Sequence, residues 1–339
     1  MKLNCGCGPI WLPDYVNVDI SDMATLAENA RHAGLAEAKK WTWERTARTV
    51  LHNVEDRIGY IKRRPRVWHS SVVDFSLVVA VRNGVEKFER MVASLPELPG
   101  RYEMIVLDDA SDTDQAQRIV KACEARERVR YIRSPKQTGL ATARARLFGE
   151  AKGQYIVSMD ADVDFSDTSA DWLITLRAIH QRGKGRYGIL APLLLWPNGT
   201  VQAAGACADE DSNVGFRLRY TDGPVTDEVC RPAIVAHLSG AVQFFSQALL
   251  NTVEMHTAYF PCMFEDADFA YQTRAAGFAL RYSPEVTVIH DANTWCQSEE
   301  GRRQIRIVEQ RALFASRWQD VWEEDLRRQD ETGALDYDE

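Results

Sequence analysis

The chain has no apolar run approaching the roughly 20 residues that cross a bilayer. Its opening residues, Met1-Lys2-Leu3-Asn4-Cys5-Gly6, lack the long apolar core of a secretory signal. Both absences point to a cytoplasmic protein without a transmembrane segment. A disulfide framework is missing too. The seven cysteines, Cys5, Cys7, Cys123, Cys207, Cys230, Cys262 and Cys296, are odd in number and mostly scattered, as expected of reduced thiols. Charge of one sign is not concentrated: a net charge of −8 exerts no global pull toward nucleic acid or anionic lipid. No internal repeat or low-complexity tract is present, so organisation must be read from the alternation of apolar and polar segments. What is present is ordinary for a soluble globular protein: 45% hydrophobic and 27% charged residues. A chain of 339 residues buries a substantial core without covalent staples.

Three zones differ in texture. Residues 1–70 form an N-terminal extension: a short apolar, glycine-containing stretch, then a charged, alanine-rich helical segment from Ala24 to Ile61. The basic cluster Lys62-Arg63-Arg64-Pro65-Arg66 breaks that pattern as a linker or exposed turn. From 71 to 298, apolar strands alternate with amphipathic helices. Phe75 to Val81 is a nearly continuous apolar run, as expected of a strand covered on both faces. Further strands are expected at Tyr102–Leu107, Val129–Ile132, Tyr155–Met159, Gly188–Leu195 and Ala233–Phe245, and one ending at Ile289. Helices are expected between the early strands and at Asp266–Ala276. This order implies an α/β fold with a mixed, mainly parallel sheet flanked by helices. Residues 299–339 read as a charged helix followed by an acidic tail.

In open parallel sheets ligands bind beyond the carboxyl ends of the strands. Just past the apolar runs stand Arg82 and Asn83, then Asp108, Asp109, Ser111 and Asp112, then Asp160, Asp162 and Asp164, and finally His290 and Asp291. Helix capping accounts for Ser111 or Asp112. It does not account for three acids directly after a buried strand. Asp160 and Asp162, two apart in extended chain, point to one side. Adjacent carboxylates repel unless a cation or proton joins them, and a divalent metal meets that need. His290 adds a nitrogen ligand, which suits Mn²⁺ better than Mg²⁺.

Several of these segments resemble the inverting family 2 glycosyltransferases, enzymes of the Rossmann-like GT-A fold. Val106-Leu107-Asp108-Asp109-Ala110-Ser111 resembles that family's V-x-D-D-x-S motif, and Gly139 to Arg144 its G-x-x-x-A-R segment. Met159-Asp160-Ala161-Asp162 resembles its metal-binding D-x-D. Leu194 to Gln202 resembles a connecting stretch of rhamnosyltransferase-like members, and Ser239-Gly240-Ala241 precedes the acceptor side. Phe264-Glu265-Asp266-Ala267-Asp268 resembles the catalytic E-D-x-D, and Val288-Ile289-His290 the closing V-x-H. The resemblance implies a nucleoside diphosphate sugar donor, with Asp109 at the base, most often uracil, and the backbone near Ala80 bordering the same pocket. Arg82, Arg144, Asp160, Ala161 and Gly240 complete the implied donor site. Asp160, Asp162 and His290 would hold Mn²⁺ or Mg²⁺ on the diphosphate. Asp266 would be the general base, at a helix start whose dipole favours its charged form. Arg82 departs from the aromatic residue often seen there, and Asp209 to Val229 carries no family pattern. Glycan, protein, lipid-linked and small-molecule acceptors are all compatible with these motifs; a nucleic-acid acceptor has no support in them.

Lys2 to Gly8, followed by Tyr15 to Ile20, resembles the opening of a class I S-adenosylmethionine methyltransferase. About 50 further residues cannot supply the rest of such a domain, so a remnant or a small strand pair is expected. The alternatives to a transferase are therefore a non-catalytic nucleotide-sugar-binding protein on the same fold, and a methyltransferase.

Overall fold

The computed structural model describes residues 73–292, 299 and 304–332. The N-terminal extension with its methyltransferase-like opening, the basic cluster at 62–66, Cys5, Cys7, Cys296 and the acidic tail from 333 lie outside the described residues.

The first half is the expected strand–helix alternation. β1 (Phe75–Val81), β2 (Tyr102–Asp108), β3 (Val129–Arg133) and β4 (Tyr155–Met159) are joined by helices α1 (Val85–Ser94), α2 (Thr113–Glu124) and α3 (Leu140–Glu150). β1 pairs in parallel with both β2 and β4, and β2 with β3. Their carboxyl ends therefore share one rim.

The second half turns the sheet mixed. A short β5 (Val163–Asp164) and helix α4 (Trp172–Arg182) lead to β6 (Tyr187–Leu195) and β7 (Val201–Ala203). A separate hairpin pairs β8 (Ala206–Ala208) with β9 (Phe216–Leu218), and its second strand lies in the segment that carried no pattern. β10 (Ala233–Ile234), β11 (Val242–Ser246), helix α5 (Glu265–Ala275) and β12 (Ala279–His290) complete the domain. The order across the large sheet is β10-β12-β6-β11-β4-β1-β2-β3. β11 lies antiparallel between β4 and β6, so its start meets the end of β4, Val242 opposite Met159.

The expected single strand from 233 to 245 is two strands separated by a loop. The chain leaves the sheet after Ile234 and re-enters at Val242, passing close beneath buried side chains at Gly240. A Cβ on Gly240 would stand 2.7 Å from an Arg144 guanidinium nitrogen and 3.0 Å from the Asp266 Cβ. The C-terminal helix α6 runs from Ile307 to Thr332, within the stretch expected to be a charged helix.

Period-two alternation splits the core between the two faces of the sheet. On β1, Val78 joins one cluster while Leu77 and Val79 join the other. On β11, Phe245 packs with Phe148 of α3 and Phe269 of α5, ring centroids 5.3 and 5.5 Å away. Its neighbour Phe244 faces the opposite side and stacks on Tyr155 at 5.1 Å. Burying each such ring is worth roughly 1.5–3 kcal/mol. The result is a rigid floor for the rim.

α6 is tied to this floor through α5. Asp268, fully buried, accepts hydrogen bonds from Tyr259, Gln272, Arg317 and Trp318. Arg274 of α5 forms a two-armed ion pair with buried Asp325 of α6, both distances 2.7 Å. Trp322 of α6 donates to the Gly215 carbonyl, fixing the β8–β9 hairpin.

Candidate active site

β4 ends at Met159, and residues 161–162 form a turn before β5. Asp160 and Asp162 are thus brought together by a turn, not by extended i, i+2 geometry, because the chain must fold back to pair β5 with β12. That pairing sets Val163 opposite His290. The Asp291 amide donates to the Asp162 carbonyl at 3.0 Å, closing the junction. One ligand atom from each of Asp160, Asp162 and His290 lies within 4.8 Å of the others. Asp164 is not part of this set: its carboxylate accepts the Ser166 amide. Asp291 is not either, being paired with Lys87 and Arg90.

The imidazole of His290 is oriented from behind. Its Nδ1 stands 2.6 Å from the carboxamide oxygen of buried Gln202, whose amide nitrogen donates to the His290 carbonyl at 3.0 Å. Nδ1 therefore carries the hydrogen, and Nε2 faces Asp162 at 3.2 Å and Asp160 at 3.8 Å. Burial opposes protonation of this ring, yet the hydrogen bond to Asp162 and the charges of both aspartates outweigh it and raise its pKa. Burial also raises the pKa of Asp160, with the Asp162 charge adding to it and Arg144 opposing. The cluster thus favours positive charge at its centre, and two carboxylates with an imidazole nitrogen are a fitting donor set for Mn²⁺.

Arg144, 2% exposed, sits against Asp160. It donates to Asp160 at 2.6 Å, to the Gly240 carbonyl at 2.8 Å and to Glu265 at 3.1 Å. One guanidinium thereby joins the end of β4, the loop before β11 and the start of α5. Burial lowers its pKa, but Asp160, Glu265 and Asp266 outweigh that and hold it charged. Burial and the Asp266 charge push Glu265 up to about 7 against the pull of Arg144.

Asp266 stands on the far side of this junction. Its carboxylate accepts the Gly240 amide at Oδ2 and the Ala267 amide at Oδ1, both at 2.9 Å. His237, absent from the sequence reasoning, approaches the same Oδ2 at 3.8 Å.

A cavity of about 250 Å³ includes the metal-type cluster in its lining: Ala80, Arg82, Asp109 and Gly139 border it together with Asp160, Ala161, Asp162 and His290. Gly240, Arg144 and Asp266 are not among its lining residues. Arg82 donates to the Asp109 and Ala110 carbonyls, which fixes the turn after β2. The Asp109 carboxylate is fully engaged: it accepts the Thr138 amide and hydroxyl and the Gly139 amide at 2.7–3.0 Å. It clamps the loop leading to α3. Gly139 has φ +85° and lies where a Cβ would strike Phe260 at 2.9 Å, so only glycine fits. The capping expected of Ser111 and Asp112 does not occur through side chains. Ser111 instead accepts the Asn83 amide, and the Asp112 amide donates to the Asn83 side chain.

Gln202, His237 and Asp268 are the residues whose tasks the sequence reasoning missed. Gln202 lay within a quoted segment but without a task, and nothing in its local pattern signals a partner 88 positions away.

Fold and site define the class: the domain has the fold of the GT-A glycosyltransferases, as a superposition on the crystal structure of GalNAc-T7 with UDP, GalNAc and Mn²⁺ shows. The TM-score is 0.52 at 19% identity, covering 66% of this chain and 44% of that chain. Residues 76–174 match the family model Glycosyl transferase family 2. That match contains Asp109, Arg144, Asp160 and Asp162; Gly240, Asp266 and His290 lie beyond it. A 68-residue stretch is 37% identical to the dolichol-phosphate mannosyltransferase of Saccharomyces cerevisiae, covering 20% of this chain and 26% of that protein. The mannosyltransferase PcManGT from Pyrobaculum calidifontis, in complex with GDP-Man and Mn²⁺, aligns at TM-score 0.47 and 14% identity over 74% of this chain and 66% of its own. The chain spans about a quarter of the length of the curated relative it matches and less than half of the GalNAc-T7 chain. Among the described residues no helix is long and apolar enough to cross a membrane.

Proposed function

We propose that this chain is an inverting glycosyltransferase that moves a sugar from a UDP-linked donor to an acceptor hydroxyl. The observation that carries the proposal is the convergence of Asp160, Asp162 and His290 on the wall of a cavity of about 250 Å³. The family 2 match over the segment that supplies both aspartates supports it. The transfer domain is assigned to residues 71–298, followed by a C-terminal helix and acidic tail at 299–339. Four free cysteines among the described residues, three of them buried, agree with a cytoplasmic setting.

Asp160, Asp162 and the His290 Nε2 would hold Mn²⁺, or Mg²⁺, against the donor diphosphate. A divalent cation bound there stabilises the negative charge that develops on the leaving group. Arg144 keeps Asp160 aimed through their buried ion pair. Asp109 works through the Thr138–Gly139 loop it clamps, shaping the wall on the nucleoside side beside Ala80 and Arg82. Asp266, linked to Asp160 through Gly240 and Arg144, takes the proton from the acceptor hydroxyl. The acceptor oxygen bonds to the anomeric carbon as the bond to the diphosphate breaks on the opposite face, which inverts the configuration. Base assistance of this kind contributes ~10²–10⁴-fold in rate.

The test is release of free nucleoside diphosphate from a panel of nucleotide sugars with Mn²⁺, alongside UDP binding by calorimetry. Asp160→Ala or Asp162→Ala is expected to lose Mn²⁺-dependent UDP binding. Asp266→Asn is expected to bind UDP normally and lose turnover. Turnover by Asp266→Asn at the wild-type rate refutes the base. A wild-type chain that binds UDP and Mn²⁺ but turns over no donor is a binding protein instead.

A further inference from the structure

His237 lies in the loop between β10 and β11, 6% exposed, and is held on three sides. Its backbone exchanges hydrogen bonds with Ala206, and its ring packs 5.0 Å from the Phe216 ring. Arg274 of α5 anchors the preceding residue by donating to the Ala236 carbonyl. The fourth side faces Asp266, with Nε2 at 3.8 Å from Oδ2. Nδ1 is enclosed and has no hydrogen-bond partner.

That asymmetry assigns the tautomer. Burial, which outweighs the attraction of Asp266, lowers the pKa of His237 and keeps the ring neutral, so it carries one N–H. Placed on Nδ1, the hydrogen would be sealed away from every acceptor, and Nε2 would turn a lone pair toward a carboxylate. Placed on Nε2, it points at Asp266 and leaves only a weak acceptor enclosed. The Asp266 carboxylate is then bound unequally. Oδ2 faces two donors, the Gly240 amide and the His237 Nε2–H, whereas Oδ1 has the Ala267 amide alone.

We propose that His237 is a positioning residue for Asp266: its Nε2–H holds Oδ2 against the Gly240 loop and leaves Oδ1 to receive the acceptor's proton. This rests on the assignment of Asp266 as the base. At 3.8 Å the two groups are poised just beyond hydrogen-bond distance, as is common before a substrate completes a site. The proton moves from the acceptor hydroxyl to Oδ1; His237 neither gains nor loses one. The charged groups around the pair are Arg274 on the His237 side, and Arg144, Glu265 and Asp160 on the Asp266 side.

The experiment uses the full chain with Mn²⁺ and the UDP-sugar that the wild-type chain hydrolyses fastest, water serving as acceptor. His237→Ala is expected to lower kcat by ~10- to 100-fold, the scale of a base displaced by about 1 Å. KM for the donor and calorimetric affinity for UDP with Mn²⁺ should be unchanged. His237→Gln, whose amide nitrogen can occupy the place of Nε2, should recover much of the rate; His237→Asn, whose amide falls at the place of Nδ1, should not. His237→Ala combined with Asp266→Asn should be no slower than Asp266→Asn alone. Wild-type turnover by His237→Ala, equal rates for the Gln and Asn variants, or losses that multiply in the double variant would each overturn the proposal while leaving Asp266 as the base. Wild-type turnover by Asp266→Asn would remove the base itself. Should His237→Ala fail to fold, the Gln and Asn pair decides the matter.

Discussion

Gln202 and His290 are joined twice, through the imidazole Nδ1 at 2.6 Å and through the His290 carbonyl at 3.0 Å, across 88 positions of sequence. The double contact fixes both the ring's tautomer and its rotation, so Nε2 is aimed at Asp162 and Asp160.

Gln202→Leu keeps the volume but removes both contacts. Partners that orient a metal-binding histidine are worth ~10–100-fold in metal affinity. Mn²⁺ affinity in the presence of UDP, measured by calorimetry, should fall by that factor. Unchanged affinity would mean that His290 needs no support from behind.

Gly240→Ala should damage both halves of the site at once. The added Cβ would meet Arg144 and Asp266 at 2.7 and 3.0 Å, and Arg144 cannot retreat because Asp160 and Glu265 hold it. The expected cost is about 1–3 kcal/mol in stability, as for other overpacked sites. Urea unfolding gives the stability, and UDP binding with Mn²⁺ should weaken alongside turnover.

Asp268→Ala separates structure from chemistry within the E-D-x-D segment. The fully buried carboxylate neutralises Arg317 and accepts Tyr259 and Trp318. Removing it leaves a buried guanidinium without that counter-charge, a loss of about 3–5 kcal/mol. Urea denaturation should show this loss for Asp268→Ala and a much smaller one for Asp266→Asn.

Glu265 gives the fold a pH dependence of predictable sign. Burial and the Asp266 charge raise its folded pKa to about 7 from an ordinary 4.5. Between those values the folded chain holds a proton that the unfolded chain has released. Stability therefore falls as pH rises through that window, by at most about 1.4 kcal/mol per pH unit from this group. With metal chelated, Glu265→Gln should flatten the slope of unfolding free energy between pH 5 and 7. An identical slope in the variant would show that another group sets it.

The local elements were legible because their signals are local. Phe75 to Val81 is apolar on both faces, and it forms a strand covered on both faces. The positions of Asp109, Asp160, Asp162, Asp266 and His290 after strands or at a helix start followed from the same reading, and the structure sets Asp160, Asp162 and His290 within one cluster. The break between Ile234 and Val242 was not legible: each half has strand composition, and the reason to leave the sheet is the close passage of Gly240 beneath Arg144.

By itself, then, the sequence determined which acids and which histidine stand at the rim, because alternation of apolar strands and polar turns is written within a few residues. Tertiary structure alone decided what each touches. Inserting β11 antiparallel beside β4 carries Gly240 to Arg144 and Asp160, and pairing β12 with β5 carries His290 to Asp162. Contacts between groups 16 to 128 positions apart depend on strand order and register, which no local pattern encodes. The same long-range packing set Asp109 on a loop, Asp268 on a helix and His237 beside Asp266.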